Sequence, residues 1–545
     1  MYDQLTPAML GCYGHPTTKA PTIDRLAAEG VVFDAAYTNS PLCTPARYCM
    51  MTGQLPSATR GYDNAAYLAS TIPTFAHYAR SAGYRTILSG KMHFVGPDQL
   101  HGFEERRTTD IYPADFGWTP DWRAPDERID WWYHNMDSVT GAGTAEVTNQ
   151  LLFDDEVGHH AVRALHDAAR SGDDRPWLVV ASFTHPHDPY VTRREYWDRY
   201  DGVDIPMPVV AATEVDDDPH TLRLRGVSAM ERTSIRDDDV RRARRAYMGN
   251  ISYVDDWTER LVSTLDSLGQ SDDTIVILLA DHGDMLGERG LWYKMNFFEG
   301  STRIPLVVHA PGRFAPHRVS EPVSLVDVLP TVMELAGLDP ASAVEPLAGR
   351  SLLPLCVASG ASTGHAPGSG PGQVAGHGSG SGPGSGSGLG SGSGLGSGSG
   401  LGSWSGSAAG SGEERTVLGE YTAEGACAPI VMVRRGRWKF VHCPADPDQL
   451  YDLEADPLER VNLATDPAYS ATVEAFRLEV SERWDLSRLH DDVLADQARR
   501  RLIDSALRSG RFTPWDYTPP RASADEYMRN HLDLNDVERS ARWPR

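Results

Sequence analysis

The sequence predicts an α/β protein: a large mixed, mostly parallel sheet sandwiched by helices, followed by a smaller C-terminal α+β domain. Three observations predict it. Up to about residue 357, short apolar runs alternate with amphipathic stretches. From 358 to 412 the composition collapses to Gly and Ser. Beyond that, strand-like runs follow one another without intervening helices. Alternation implies parallel strands joined by covering helices, whereas consecutive strands imply an antiparallel sheet.

In chain order, Arg85–Lys91, Trp177–Thr184, Thr274–Ala280 and Ile304–His309 are short and apolar and read as buried strands. Between them, Thr74–Ala82, Asp154–Ala169 and Val240–Leu268 carry helical periodicity. These elements make one domain over 1–357. The 358–412 segment buries too little apolar surface to fold and reads as a flexible linker or surface insertion. In 413–545, Val417–Tyr421, Pro429–Val433 and Trp438–His442 read as antiparallel strands, with Arg435-Gly436 turning between the last two. Helices are expected around 469–485 and 492–509, then an extended tail from Phe512 to Arg545 that wraps something.

Acidic residues outnumber basic ones by 75 to 51, a formal charge of -24. That argues against a nucleic-acid partner. It also means that any anion site must be built locally, while a cationic substrate is tolerated. The six cysteines show no CxxC pair and read as reduced thiols of a cytoplasmic protein. No run approaches the roughly 18 apolar residues of a membrane span, and no charged leader precedes an apolar stretch.

The chemistry concentrates around Leu42-Cys43-Thr44-Pro45-Ala46-Arg47. Thr44 can cap a helix, Pro45 suits its first position and Gly53 its stop. Cys43 would then stand just before a helix N-terminus, where free N–H groups and the dipole favour an anion. The planar fork of Arg47 suits a tetrahedral oxyanion. Taken alone, this run fits a buried structural cysteine equally well. Three further groups follow predicted strands: Lys91 and His93, then His185 and His187, then Asp281 and His282, with Lys294 shortly after. Singly each reads as a solvated Lys, a satisfied His or a turn Asp. Their shared position at strand ends, where α/β sheets bind ligands, gathers them into one site.

Cys43-Thr44-Pro45-Ala46-Arg47, followed by Thr52-Gly53, resembles the Cys-x-Pro-x-Arg…Thr-Gly signature of the sulfatase family, which has the alkaline-phosphatase-like fold. Longer runs resemble its choline-sulfatase branch: Ser40–Cys43, Ser89–Gln99, Phe183–Pro189, Gly287–Lys294 and Tyr527–His531. The resemblance implies that a formylglycine-installing enzyme oxidises Cys43, and that the hydrated aldehyde attacks sulfur. It implies that Asp3, Cys43, Asp281 and His282 hold one divalent cation, calcium by preference and otherwise manganese or magnesium. Arg47, Lys91 and Lys294 would neutralise sulfate oxygens. His187, with Lys294, would protonate the leaving alcohol, and His93 would be the base that frees sulfate from the aldehyde. The sequence departs from the common family pattern in Asp3-Gln4 and Asp281-His282, which supply fewer acidic ligands. Only Met1 and Tyr2 precede Asp3, so its strand is expected to be truncated and the true start to lie some ten residues upstream.

A quaternary ammonium needs aromatic faces, and 112–134 holds Tyr112, Phe116, Trp118, Trp122, Trp131, Trp132 and Tyr133. The resemblance implies choline sulfate as the substrate, with Trp118, His134 and Glu424 toward choline and Asn64 toward sulfate. Asp533 in the tail would reach a neighbouring subunit of a homo-oligomer. Two rivals stand beside this expectation: a phosphonate monoester or phosphodiester hydrolase of the same superfamily, and a non-catalytic descendant lacking the first strand.

Overall fold

The computed structural model describes residues 1–357 and 414–520, together with 533 and 536. The expected Gly/Ser insertion and the Tyr527–His531 run lie outside the described residues. The strands that place the site are β1 (Tyr2–Asp3), β2 (Val31–Phe33), β3 (Arg85–Gly90), β4 (Glu105–Arg106), β5 (Trp177–Pro186), β6 (Val276–Leu279), β7 (Leu306–His309) and β8 (His317–Val319). They form two four-stranded sheets, β4-β3-β5-β1 and β6-β7-β2-β8. A parallel bridge from Tyr2 to Ala280 joins them into one surface. All pairs in the first sheet are parallel, and β7 runs antiparallel to both its neighbours. The C-terminal ends of β1, β3, β5 and β6 therefore meet on one edge.

The three long predicted helices are present, with ends shifted by a few residues: Phe75–Ser81, Asn149–Arg170 and Asp237–Ser267. Thr74 caps the first, and Thr148 caps the second by accepting from the Leu151 N–H. The Asn149–Arg170 and Asp237–Ser267 helices contact each other and both contact β5.

Asp3, expected to have little scaffold, is fully buried. Its strand is fixed by pairing of Tyr2 with Phe183, while Tyr2 Oη shares a hydrogen bond with Thr258 Oγ1. Beside Met1, the edges of β5 and β6 border a groove of about 150 Å³ lined by Trp177, Val179, Val262 and Ile275. The Met1 backbone nitrogen lies 2.9 Å from the Ala181 carbonyl.

The C-terminal sheet has four antiparallel strands: Thr416–Tyr421, Ile430–Arg435, Trp438–Cys443 and the unexpected Asp446–Asp452. The last was not predicted because Asp446, Asp448 and Asp452 interrupt its apolar pattern. Alternation sets its two faces. Val431, Val433 and Phe440 pack on the Ser470–Arg483 helix, whereas Ile430, Met432 and Val441 belong to the main core. The Leu486–Arg508 helix follows, with Leu489 and Val493 in that same core.

Candidate active site

Cys43 opens the helix Cys43–Thr52, which ends at Gly53 with φ 66°. This corrects the expected cap. Cys43 is the first helical residue rather than the one before it, and Leu42 in the cap position offers no side-chain oxygen. Asn64, twenty residues on, does the capping: its Oδ1 accepts from the Thr44 N–H at 3.0 Å. Cys43 is buried, and burial, reinforced by the nearby Asp3 carboxylate, pushes its thiol up to about 11. At neutral pH it is a neutral thiol, a poor nucleophile in its unmodified form.

Around Cys43 the strand ends supply charge. Asp3 closes β1, Lys91 follows β3, and Asp281 and His282 follow β6. Each is essentially fully buried. Burial alone would raise Asp3, but Lys91, His187 and Arg47 outweigh it and hold its carboxyl well below the usual range. Arg47 is oriented by four contacts. Its Nε donates to Asp281 Oδ2 at 2.9 Å, Nη2 to Asp3 Oδ2 at 3.3 Å, and Nη1 to the Lys91 carbonyl at 2.6 Å and Ser182 Oγ at 3.0 Å. The guanidinium thus braces the two carboxylates. Lys91 pairs with Asp3 and sits 4.3 Å from the Tyr112 ring centroid.

One ligand atom from each of Asp3, Cys43, Asp281 and His282 can be chosen so that all lie within 4.8 Å of one another. The donor chemistry fits a divalent cation. His282 Nδ1 bonds the Gly283 carbonyl at 3.0 Å, which makes Nδ1 the protonated nitrogen and leaves the Nε2 lone pair facing inward, 3.7 Å from Asp3 Oδ1. Burial pushes His282 down to about 4, keeping it neutral and able to ligate.

On the other side, His187 Nδ1 donates to the Asp188 carbonyl at 2.7 Å, so its Nε2 accepts from Lys294 Nζ at 2.7 Å. Burial, with Lys294 next, holds His187 well below its ordinary pKa. In this contact Lys294 Nζ is the donor and His187 Nε2 the acceptor. His93, at φ 58°, is buried with both ring nitrogens unpartnered among the described residues. Burial, with Lys91 next, pushes it down to about 3, so it is a neutral proton acceptor.

A cavity of about 520 Å³ is lined by Cys43, His187 and Lys294 together with Asn64, Tyr112, Trp118, Trp132, His134 and Glu424. Trp118 and Trp132 stack with centroids 6.0 Å apart, Tyr112 lies 5.0 Å from Trp118, and His134 stacks on Tyr293 at 4.3 Å. Glu424 is buried, its Oε2 has no hydrogen-bond partner among the described residues, and burial pushes its carboxyl up to about 7. Asp533 is exposed and does not line this cavity.

Sequence reasoning missed three contributors. Gln4 donates from Nε2 to Asp284 Oδ2 at 2.6 Å and accepts at Oε1 from Lys294 Nζ at 2.6 Å, fixing that ammonium. Asp110 accepts from the His93 N–H at 2.8 Å and the Met92 N–H at 3.0 Å, fixing the strained turn that carries His93. Tyr112 was noted only as one aromatic among many. For Gln4 the one available signal was a neutral amide beside a metal-site Asp.

Residues 1–338 match a family model described as "Sulfatase", and residues 491–543 one described as "Choline sulfatase enzyme C terminal". A choline-sulfatase of Rhizobium meliloti is 46% identical, the match covering 100% of this chain and 98% of that one. An iduronate 2-sulfatase of Homo sapiens is 28% identical over 62% of this chain and 68% of its own. The crystal structure of a phosphonate monoester hydrolase of Agrobacterium radiobacter superposes with a TM-score of 0.62 at 22% identity, covering 90% of this chain and 94% of that one, a likeness of fold.

Proposed function

Since the chain belongs to the sulfatase family, whose members hydrolyse sulfuric esters, we propose that it cleaves choline sulfate to choline and sulfate. One observation carries the substrate. A single cavity joins Cys43, His187 and Lys294 to the rings of Tyr112, Trp118 and Trp132 and to Glu424, whose Oε2 has no hydrogen-bond partner among the described residues. A trimethylammonium group cannot donate hydrogen bonds, so aromatic faces and a buried carboxylate are the groups that would recognise it.

The family implies a divalent cation and formylglycine at position 43. Asp3, Asp281 and His282, with residue 43, would hold the cation, and calcium is our assignment. The cation would polarise a sulfate oxygen, and the aldehyde hydrate would supply the oxygen that attacks sulfur. Arg47 keeps the two carboxylates apart and aimed. Lys91 and Lys294 face the charge that redistributes onto sulfate oxygens. Lys294 protonates the departing choline oxygen, with His187 Nε2 orienting it. His93, whose ring nitrogens have no partner among the described residues, would take up the proton released in the step that frees sulfate.

We assign the protein to the cytoplasm, as the absence of any CxxC pair or dense cysteine framework suggests. No helix among the described residues is long and apolar enough to cross a membrane. We assign Asp533 to the cavity of a neighbouring copy in a homo-oligomer, which light scattering on the purified protein tests.

The deciding experiment compares turnover of choline sulfate, an aryl sulfate and a phosphonate monoester, with peptide mass spectrometry across residue 43. The expected result is formylglycine at 43 and the highest kcat/KM on choline sulfate. Unmodified cysteine in active protein, or a preference for the phosphonate, would overturn the proposal.

A further inference from the structure

The cavity's recognition residues lie on three segments far apart in sequence; one face of the Leu486–Arg508 helix bonds two of them directly and reaches the third through Trp122. Arg500, essentially fully buried, donates from Nη1 and Nη2 to the two oxygens of Asp63 at 2.6 and 2.7 Å. Asp63 is itself fully buried, and the next residue is Asn64, whose side chain caps the Cys43 helix. The same Nη1 reaches Thr119 Oγ1 at 3.2 Å, beside Trp118. Arg500 Nε donates to Asp496 Oδ2 at 2.7 Å, which locks the fork in plane. One turn earlier, Gln497 Oε1 accepts from the Trp122 N–H at 3.0 Å. Trp122 Nε1 in turn donates to the Ala423 carbonyl at 3.0 Å, beside Glu424.

Residues 107–136 contain neither helix nor strand, so their own backbone ladder does not hold Trp118. The helix contacts supply that hold. We propose that Arg500 is a positioning residue for substrate selection: its buried fork sets Asn64 and Trp118 at the distance from Cys43 that a choline sulfate molecule spans. This rests on the choline sulfate reading of the cavity. Lysine cannot take the role, because one ammonium cannot meet both Asp63 oxygens, Thr119 and Asp496 in a fixed plane.

The test uses full-length protein carrying Arg500→Lys, which leaves Asp63 a cationic partner, and the pair Arg500→Gln with Asp63→Asn, which leaves no buried charge unpaired. The kcat and KM for choline sulfate and 4-nitrophenyl sulfate are measured on the same preparations, with thermal unfolding reporting the folded fraction. Both variants are expected to raise KM for choline sulfate about tenfold with kcat within about threefold, and to lower the choline-to-aryl preference about fivefold or more, as misplacement by a fraction of an ångström does. A purely structural role would lower kcat on both substrates in parallel and leave KM alone. A choline-to-aryl ratio within about twofold of wild type in both variants would overturn the proposal. Wild-type protein that fails to turn over choline sulfate would overturn the function assignment instead.

Discussion

The sulfate end and the cation end of the cavity are built in opposite ways. At the sulfate end, Asp3, Lys91, Asp281 and His282 leave the ends of β1, β3 and β6, and Arg47 binds across them. Arg47 pairs with Asp3 and Asp281, and Asp3 also pairs with Lys91, so moving either Arg47 or Asp3 breaks two ion pairs at once. At the cation end, Tyr112, Trp118 and Trp132 sit on residues without regular structure, and Glu424 on a link between strands. The Leu486–Arg508 helix meets that stretch at Thr119 and Trp122. Chemistry that must not drift is carried by the sheet, while the part that selects a leaving group is carried by segments that can change without disturbing it.

Breaking the sulfate end should cost most. Cys43→Ala removes the modified side chain and should lower kcat by roughly 10⁵-fold or more on any sulfate ester. A smaller loss, of about 10²- to 10⁴-fold, is expected for Lys294→Ala, which removes the proton donor. That loss should be steeper for choline sulfate than for a nitrophenyl ester, whose leaving group needs no proton. Equal losses on the two substrates would mean that Lys294 acts on the sulfate oxygens alone and does not protonate the leaving alcohol.

The cation end should respond in KM instead. Burial holds Glu424 up at about 7, so below that pH it is neutral and binds a cation poorly. Its ionisation as pH rises from 6 to 8 should therefore lower KM for choline sulfate. Glu424→Gln should flatten that dependence and raise KM about tenfold at pH 8, within the range of a desolvated cation contact. A KM that rises with pH would remove the carboxylate from cation binding.

The smallest effect concerns stability. A cation present at about 100 times its Kd contributes about 2.7 kcal/mol to the folded state. Chelation should therefore lower Tm by a few degrees and abolish activity, and calcium should restore both. Asp3→Asn should shrink that Tm response. An undiminished response would mean that the ion binds elsewhere.

The same contrast explains what was legible in the sequence. Strand ends are readable because buried parallel strands are continuous apolar runs, so Lys91, His187 and Asp281 announced their place. Cys43 was readable through its neighbours, but its cap was not. Asn64 is brought to Thr44 by tertiary structure, and no local pattern encodes that. Gln4 was missed for a like reason: its side chain gains meaning only from Asp188, Asp284 and Lys294, each more than 180 residues away. The aromatic density of 112–134 pointed to a cation. Which rings line the cavity is set by tertiary packing, and nothing in the loop itself records that. The C-terminal sheet gives one of its faces to the main core, a packing that no local pattern encodes.

The most direct test of the account, that one cavity couples sulfate chemistry to recognition of a cation, compares choline sulfate with its uncharged isostere, 3,3-dimethylbutyl sulfate. Shape, leaving-group chemistry and sulfate are nearly the same, and only the positive charge is removed. The account predicts a kcat/KM at least about 30-fold higher for choline sulfate, the ratio expected for about 2 kcal/mol of desolvated cation–π and carboxylate contact. Equal kcat/KM for the two esters would contradict it.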